Sequence, residues 1–154
     1  MDAIALLKAD HKVVKELFDE IDGMSDTAHV ARSKAFAKIN HELTIHSEIE
    51  EKIFYPALKA KTKLNTPESD EVFEAFEEHA NVKAMLAKLE ELEPTDNTYN
   101  AKLQVLGELV KHHVKEEETE MFKQARELMD EKELQSLGEK MAKAKAELAR
   151  EVLV

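Results

Sequence analysis

Four histidines and two glutamates interrupt apolar stripes that otherwise repeat every three or four residues along four segments of the chain. Residues three or four apart share one face of an α-helix, so each stripe predicts the buried face of a helix. The polar residues on these faces are His11, His46, Glu50, His79, His113 and Glu117. Each glutamate follows a histidine by four residues, which places the two side chains one helical turn apart. Imidazole and carboxylate groups gathered in one core are a donor set for metal ions.

The buried positions of the two glutamates favour a metal centre over a purely structural core, which is the alternative. A carboxylate removed from water needs a counter-charge, and no Lys or Arg occupies the stripes of Glu50 and Glu117. A single buried histidine is usually a hydrogen-bonded core residue, but that does not explain four of them with two carboxylates. Six ligands exceed the four that zinc usually takes, so they predict two ions bridged by the carboxylates. Iron, manganese and zinc all suit such ligands.

The elements that position these residues are five amphipathic segments. The predicted helices span about 3–22, 28–61, 67–92, 98–129 and 131–152. Thr66 before Pro67, and Asp130 before an acidic third residue, are helix-start signals. The other three histidines, His29, His41 and His112, do not fit the stripes, and we expect them on the surface.

The composition agrees with a bundle of helices. The chain has 154 residues with only 3 Gly and 3 Pro, too few for the turns of a β-sandwich. Its lack of cysteine excludes disulfides, thiolate metal sites and thiol catalysis. Short loops favour antiparallel neighbours. The prediction is an all-α, up-down four-helix bundle over about 3–129 with an additional C-terminal helix over about 131–152, in a single domain of residues 1–154.

The order and spacing of the polar residues resemble the hemerythrin-like, or HHE cation-binding, family of the short bacterial type. The matching pieces are Asp10-His11-Lys12, His46 to Glu51, Ile53 to Leu58, Glu78-His79 and His113 to Glu117. The resemblance implies a hemerythrin-like bundle in which the six residues hold two iron ions joined by an oxo or hydroxo bridge. Manganese or zinc can take the place of iron in a recombinant sample.

Two departures separate the chain from the oxygen-carrying hemerythrins. Those proteins have a second histidine four residues after the one in the third helix, where this chain has Lys83. Their fourth-helix carboxylate is an Asp five residues after the histidine, whereas Glu117 follows by four. The missing histidine predicts a coordination position for solvent or for Tyr55, the candidate catalytic residue. An ideal helix places Tyr55 about 180° from His46, so the simpler interpretation is a tyrosine packed at the end of the helix.

The resemblance implies a non-haem di-iron protein that reacts with hydrogen peroxide, oxygen or nitric oxide, with catalase-like peroxide decomposition as its enzymatic form. The alternatives are reversible oxygen or nitric oxide binding, iron sensing, and iron storage without turnover. The net charge of -11 disfavours nucleic acid and anionic lipid as partners. No apolar run approaches the roughly 20 residues of a membrane span, and the start of the chain does not resemble a signal peptide, so we expect a cytoplasmic protein. The sequence does not specify a protein partner or a homo-oligomer.

Overall fold

The computed structural model describes residues 1–152 and contains helices but no strands over that range. The α-helices are α1 (Ala3–Asp22), α2 (His29–Ile49), α3 (Tyr55–Lys59), α4 (Pro67–Glu91), α5 (Tyr99–Glu116), α6 (Phe122–Leu128) and α7 (Glu131–Val152). Two π-helical turns, Glu50–Phe54 and Glu117–Met121, join α2 to α3 and α5 to α6. The helices α2 and α3 thus form one continuous rod, as do α5 and α6, while α1, α4 and α7 are each a rod of their own. These five rods confirm the predicted all-α bundle with an additional C-terminal helix. Residues 153 and 154 of the predicted domain lie outside the described residues.

Two helices begin at the predicted start signals. The Thr66 hydroxyl accepts a hydrogen bond from the Ser69 amide at 3.3 Å, and Pro67 is the first residue of α4. Asp130 Oδ1 accepts a hydrogen bond from the Glu133 amide at 2.8 Å at the start of α7. Both bonds satisfy amides that the first turn of a helix leaves without a backbone partner.

The core consists of two apolar clusters with a polar layer between them. Cluster 1 includes Ile4, Leu7, Phe54, Leu58, Phe122 and Met141. Cluster 2 includes Val14, Ile39, Leu43, Leu86, Leu106 and Val110. Along α1, Leu7 belongs to cluster 1, Val14 belongs to cluster 2, and His11 lies between them. The order is the same along α4 and is reversed along the rods that begin with α2 and α5, which run in the opposite direction, so the six polar residues occupy one layer of the bundle.

The additional helix α7 packs against α1 and α2 and covers one side of cluster 1. Its side chains Leu134 and Met141 are buried. Gly138 allows a close backbone approach, because a Cβ atom at that position would lie 2.4 Å from the Met1 carbonyl oxygen. Over residues 1–152, none of the helices combines the length and the apolarity that a bilayer crossing requires.

Candidate metal centre

The structure brings the six predicted ligands together in the polar layer, where each is at most 7% exposed. The ring centroids of His11 and His46 are 4.9 Å apart, and those of His79 and His113 are 4.8 Å apart. The centre therefore contains two histidine pairs, one from α1 and α2 and the other from α4 and α5. The remaining histidines, His29, His41 and His112, are partly or fully exposed and lie outside the centre.

The two glutamates lie between the histidine pairs. Glu117 Oε1 is 3.1 Å from His11 Nε2, and its Oε2 atom is 3.2 Å from His113 Nε2. Glu50 makes both of its contacts through one oxygen, Oε1, which is 3.0 Å from His46 Nε2 and 3.1 Å from His79 Nε2. Each carboxylate thus contacts one histidine of each pair, which is the arrangement that a ligand shared by two ions requires.

Several buried nitrogen and oxygen atoms of the centre have no hydrogen-bond partner within the protein. These atoms are Nε2 of His11 and His46, both carboxylate oxygens of Glu50, and Oε1 of Glu117. Buried polar atoms almost always have a partner, so their lack of one points to a missing ligand. Bonds of about 2.1 Å to a shared ion separate neighbouring donors by about 3.0 to 3.4 Å, which agrees with the distances in the centre. Two groups of donors each fit one ion: His11, His46, Glu50 and Glu117 in one, and Glu50, His79 and His113 in the other.

Each histidine is also held from outside by a carboxylate on a neighbouring rod. The pairs are His11 Nδ1 with Glu118 at 2.8 Å, His46 Nδ1 with Asp10 at 2.9 Å, His79 Nδ1 with Glu51 at 3.1 Å, and His113 Nδ1 with Glu78 at 2.9 Å. A carboxylate accepts from N–H, so each Nδ1 carries a proton and each Nε2 faces the centre, where it can bind a metal once it is deprotonated. The four bonds run around the bundle and link each of its four rods to the next.

The apolar stripes do not predict these four outer carboxylates, although the sequence carries a signal for them. Each is the immediate neighbour of a predicted ligand, as in Asp10-His11, Glu50-Glu51, Glu78-His79 and Glu117-Glu118. A neighbour in sequence is rotated about 100° around the helix axis, so it faces the next rod instead of its own side of the centre.

Two of the outer carboxylates bind a lysine as well. Asp10 accepts a hydrogen bond from Lys145, which brings α7 into contact with the centre. Glu51 accepts from Lys83, with 2.7 Å between Lys83 Nζ and Glu51 Oε2. Lys83 is 48% exposed and directs its ammonium group to Glu51, so it does not replace the histidine of the oxygen carriers.

The hydroxyl of Tyr55 lies in the second group of donors. It donates a hydrogen bond to Glu117 Oε2 at 2.5 Å and lies 3.2 Å from Nε2 of both His79 and His113. Tyr55 is packed in cluster 1, as the simpler interpretation expects, but the ideal-helix orientation away from the ligands is wrong because Glu50–Phe54 is a π-helical turn. Its wider turn holds about one extra residue, which rotates Tyr55 roughly 100° towards the ligands. Burial, followed by the neighbouring carboxylate charges, raises the pKa of Tyr55 well above its usual value, so the hydroxyl keeps its proton.

Protons on two histidines supply counter-charge to the metal-free centre. Burial lowers the pKa of His46, but Glu50 and Asp10 outweigh burial and raise that pKa to about 10. Burial also opposes protonation of His113, and Glu117 contributes most to raising its pKa to about 11. Without metal, these imidazolium groups supply the positive charge that no Lys or Arg provides on the stripes.

Comparison with known proteins agrees with the fold and with a cation-binding domain. A DNA nickase of Nostoc sp. is 22% identical over 143 residues, which are 93% of this chain and only 39% of that relative's length. The uncharacterized protein Rv2633c of Mycobacterium tuberculosis is 30% identical over 92% of this chain and 84% of its own length.

The crystal structure of a hemerythrin HHE cation-binding domain-containing protein from Mycobacterium kansasii, a homolog of Rv2633c, has a TM-score of 0.84 at 28% identity. The similarity covers 99% of this chain and 90% of that one. The family model named Hemerythrin HHE cation binding domain matches residues 2–125. The chain therefore belongs to the hemerythrin HHE cation-binding domain family.

Proposed function

We propose that the chain holds two iron ions in its polar layer. His11 and His46 hold one ion, His79 and His113 hold the other, and the two glutamates are shared between them. The support is the set of unpartnered buried donor atoms, together with donor separations of 3.0 to 3.2 Å. Zinc and manganese suit the same donors and can take the place of iron in a recombinant sample.

Tyr55 is the observation that carries the functional proposal. Its hydroxyl oxygen lies at equal distances, 3.2 Å, from the Nε2 atoms of His79 and His113, in the position of a further donor to the second ion. The ammonium group of Lys83 on α4 donates a hydrogen bond to Glu51 and has no free electron pair for a metal ion. We therefore assign Tyr55 to the metal in place of the second α4 histidine of the oxygen carriers. In the metal-free chain the same hydroxyl holds its proton against Glu117 Oε2.

A small cavity lies on the other side of the histidine layer from Tyr55. Its volume is about 20 Å³, and it is lined by the four ligand histidines, by Asp10 and Ser47, and by apolar side chains of cluster 2. A cavity of this size holds about one water-sized molecule, which supports hydrogen peroxide, oxygen or nitric oxide as the ligand. His11, Val14, Val110 and Val114 line both this cavity and an open groove between α1 and α5, so the three valines and the His11 ring lie between the centre and solvent.

The function that this arrangement supports best is the decomposition of hydrogen peroxide to water and oxygen. When bound, a pair of iron ions supplies the redox chemistry. The conversion of two peroxide molecules to two water molecules and one oxygen molecule needs no external electrons. The chain contributes the small cavity, which excludes larger hydroperoxides, and the outer carboxylates, which fix the four imidazole rings. Tyr55 occupies a ligand position that a carrier of oxygen fills with histidine.

An oxygen electrode tests this proposal on protein loaded with iron under anaerobic conditions. Addition of hydrogen peroxide should release oxygen from the wild-type protein, and tert-butyl hydroperoxide should react far more slowly because it exceeds the cavity. His41→Ala, which removes a histidine outside the centre, should behave as the wild type. A long-lived complex with oxygen, together with no reaction with peroxide, would instead favour reversible oxygen binding.

A further inference from the structure

A second group of donors lies on the surface where α4 and α5 meet. Glu78 comes from α4, and His112 and Glu116 come from α5. His112 Nε2 is 3.1 Å from Glu116 Oε1 and 3.6 Å from Glu78 Oε2. One donor atom from each residue lies within 4.8 Å of the others. One imidazole and two carboxylates therefore converge at a point outside the buried centre.

The geometry of this group suits a single ion. Bonds of about 2.0 to 2.2 Å from one ion to nitrogen and oxygen donors separate neighbouring donors by about 3.0 to 3.5 Å. His112 and Glu116 are four residues apart on α5, so the helix holds them side by side. The His112 side chain is 65% exposed and that of Glu116 is 42% exposed, which leaves room for water to complete the coordination.

The charge of the group also favours a cation. Over residues 1–152, no Lys or Arg forms an ion pair with Glu78 or Glu116. With a neutral histidine the group carries two negative charges and one neutral nitrogen donor. Imidazole and carboxylate together are the donors of first-row divalent ions, whereas calcium and magnesium prefer oxygen alone.

Glu78 connects this group to the buried centre. Its Oε1 atom accepts the hydrogen bond from His113 Nδ1 at 2.9 Å, while its Oε2 atom faces His112. The same carboxylate thus serves a surface donor group through one oxygen and a predicted ligand of the centre through the other.

We propose that Glu78, His112 and Glu116 form a surface site for a first-row divalent cation, and that an ion in this site acts on the centre through Glu78. A cation on Oε2 draws electron density from the carboxylate and weakens the bond that Oε1 accepts from His113. The imidazole of His113 then becomes a weaker donor at Nε2. This second step rests on the proposed metal centre, whereas the surface site itself does not.

Equilibrium dialysis of the metal-free chain against buffered free Zn²⁺ tests the surface site. The wild type should bind three ions per chain, and both His112→Ala and Glu116→Gln should bind two. His41→Ala is the matched control and should bind three. If the buried centre binds no metal, the wild type and His41→Ala should each bind one ion, and His112→Ala and Glu116→Gln should bind none. The difference between wild type and His112→Ala therefore still tests the surface site. Equal numbers in wild type and His112→Ala would overturn it.

Nitrogen-15 NMR of the zinc-loaded protein tests the link to the centre. As free Zn²⁺ is raised until the third ion binds, the His113 Nδ1–H resonance should shift in the wild type and in His41→Ala. In His112→Ala it should remain constant, and the His46 Nδ1–H resonance should not move in any of these proteins. A His113 resonance that stays constant while the third ion binds to the wild type would refute the link.

Discussion

Replacement of Asp10 by asparagine removes the negative charge that holds His46 and keeps the size of the side chain. Asp10 is 2% exposed, and its Oδ2 atom accepts from His46 Nδ1 at 2.9 Å while Oδ1 accepts from Lys145. Water cannot replace a carboxylate at so buried a position. Loss of the outer partner of a metal-binding histidine weakens metal binding by roughly 10- to 100-fold. We expect Asp10→Asn to lie near the upper limit, at about 2.7 kcal/mol of binding free energy.

Glu118 offers a matched comparison because it holds His11, the other histidine of the same proposed ion. The distance from Glu118 Oε2 to His11 Nδ1 is 2.8 Å, but the Glu118 side chain is 34% exposed. Water can take the place of this carboxylate, so Glu118→Gln should weaken metal binding by about tenfold or less. Asp19→Asn removes an exposed pair with Lys15 on the same helix and should leave the metal affinity unchanged.

Competition with a ferrous chelator under anaerobic conditions measures the iron affinity of the three variants. Circular dichroism and melting curves establish that each variant is folded. The expected order of affinity loss is Asp10→Asn, then Glu118→Gln, then Asp19→Asn. Equal affinities of Asp10→Asn and Asp19→Asn would refute the role of the outer carboxylates, and a larger loss in Glu118→Gln would refute the argument from burial.

Three further predictions concern metal removal, the second ion and pH. At a thousandfold excess over Kd, each ion that binds only the folded chain adds about 4 kcal/mol to the free energy of unfolding, so two ions add about 8 kcal/mol. Calorimetry should therefore show the loaded protein melting roughly 20 °C above the metal-free protein; equal melting temperatures would contradict a buried centre. Tyr55→Phe should abolish a phenolate-to-iron absorption band of the ferric protein, and an unchanged spectrum would exclude the tyrosine as a ligand. Lys83→His should slow oxygen release from peroxide. In the folded, metal-free chain the pKa values of His46 and His113 are about 10 and about 11, above the usual histidine value of about 6.5. Protonation of these two histidines therefore stabilises the metal-free fold. The stabilisation is complete below about pH 6.5 and is lost as the pH rises through 10 to 11. Each ion must displace the proton of one of these two histidines, so its affinity should rise up to about tenfold per pH unit between pH 7 and 9, and binding without proton release in a weakly buffered titration would contradict this.

The sequence predicts the helices and the polar layer because both depend on local periodicity. A buried histidine such as His79 stands out among valines and leucines at three- and four-residue spacing, and Thr66 marks the start of its helix. The two clusters of the core follow from the same stripes. These features need no knowledge of how one rod lies against another.

The features that the sequence does not predict depend on contacts between rods or on a change of helical register. The π-helical turn at Glu50–Phe54 brings Tyr55 to the centre, and nothing in its composition distinguishes it from an α-helical turn. Asp10 and Lys145 are far apart in the chain, and their contact requires α7 to lie against α1. That position depends in turn on the close backbone approach at Gly138.

The central proposal is that six residues hold two iron ions, and the number of iron ions per chain tests it most directly. Wild-type protein is loaded with iron under anaerobic conditions, freed of excess metal and analysed by inductively coupled plasma mass spectrometry. It should contain two iron ions per chain. Glu117→Ala, which removes a carboxylate placed between His11 and His113, should contain one or none. One ion or none in the wild type, or two ions retained in Glu117→Ala, would contradict the two-ion centre with a shared glutamate.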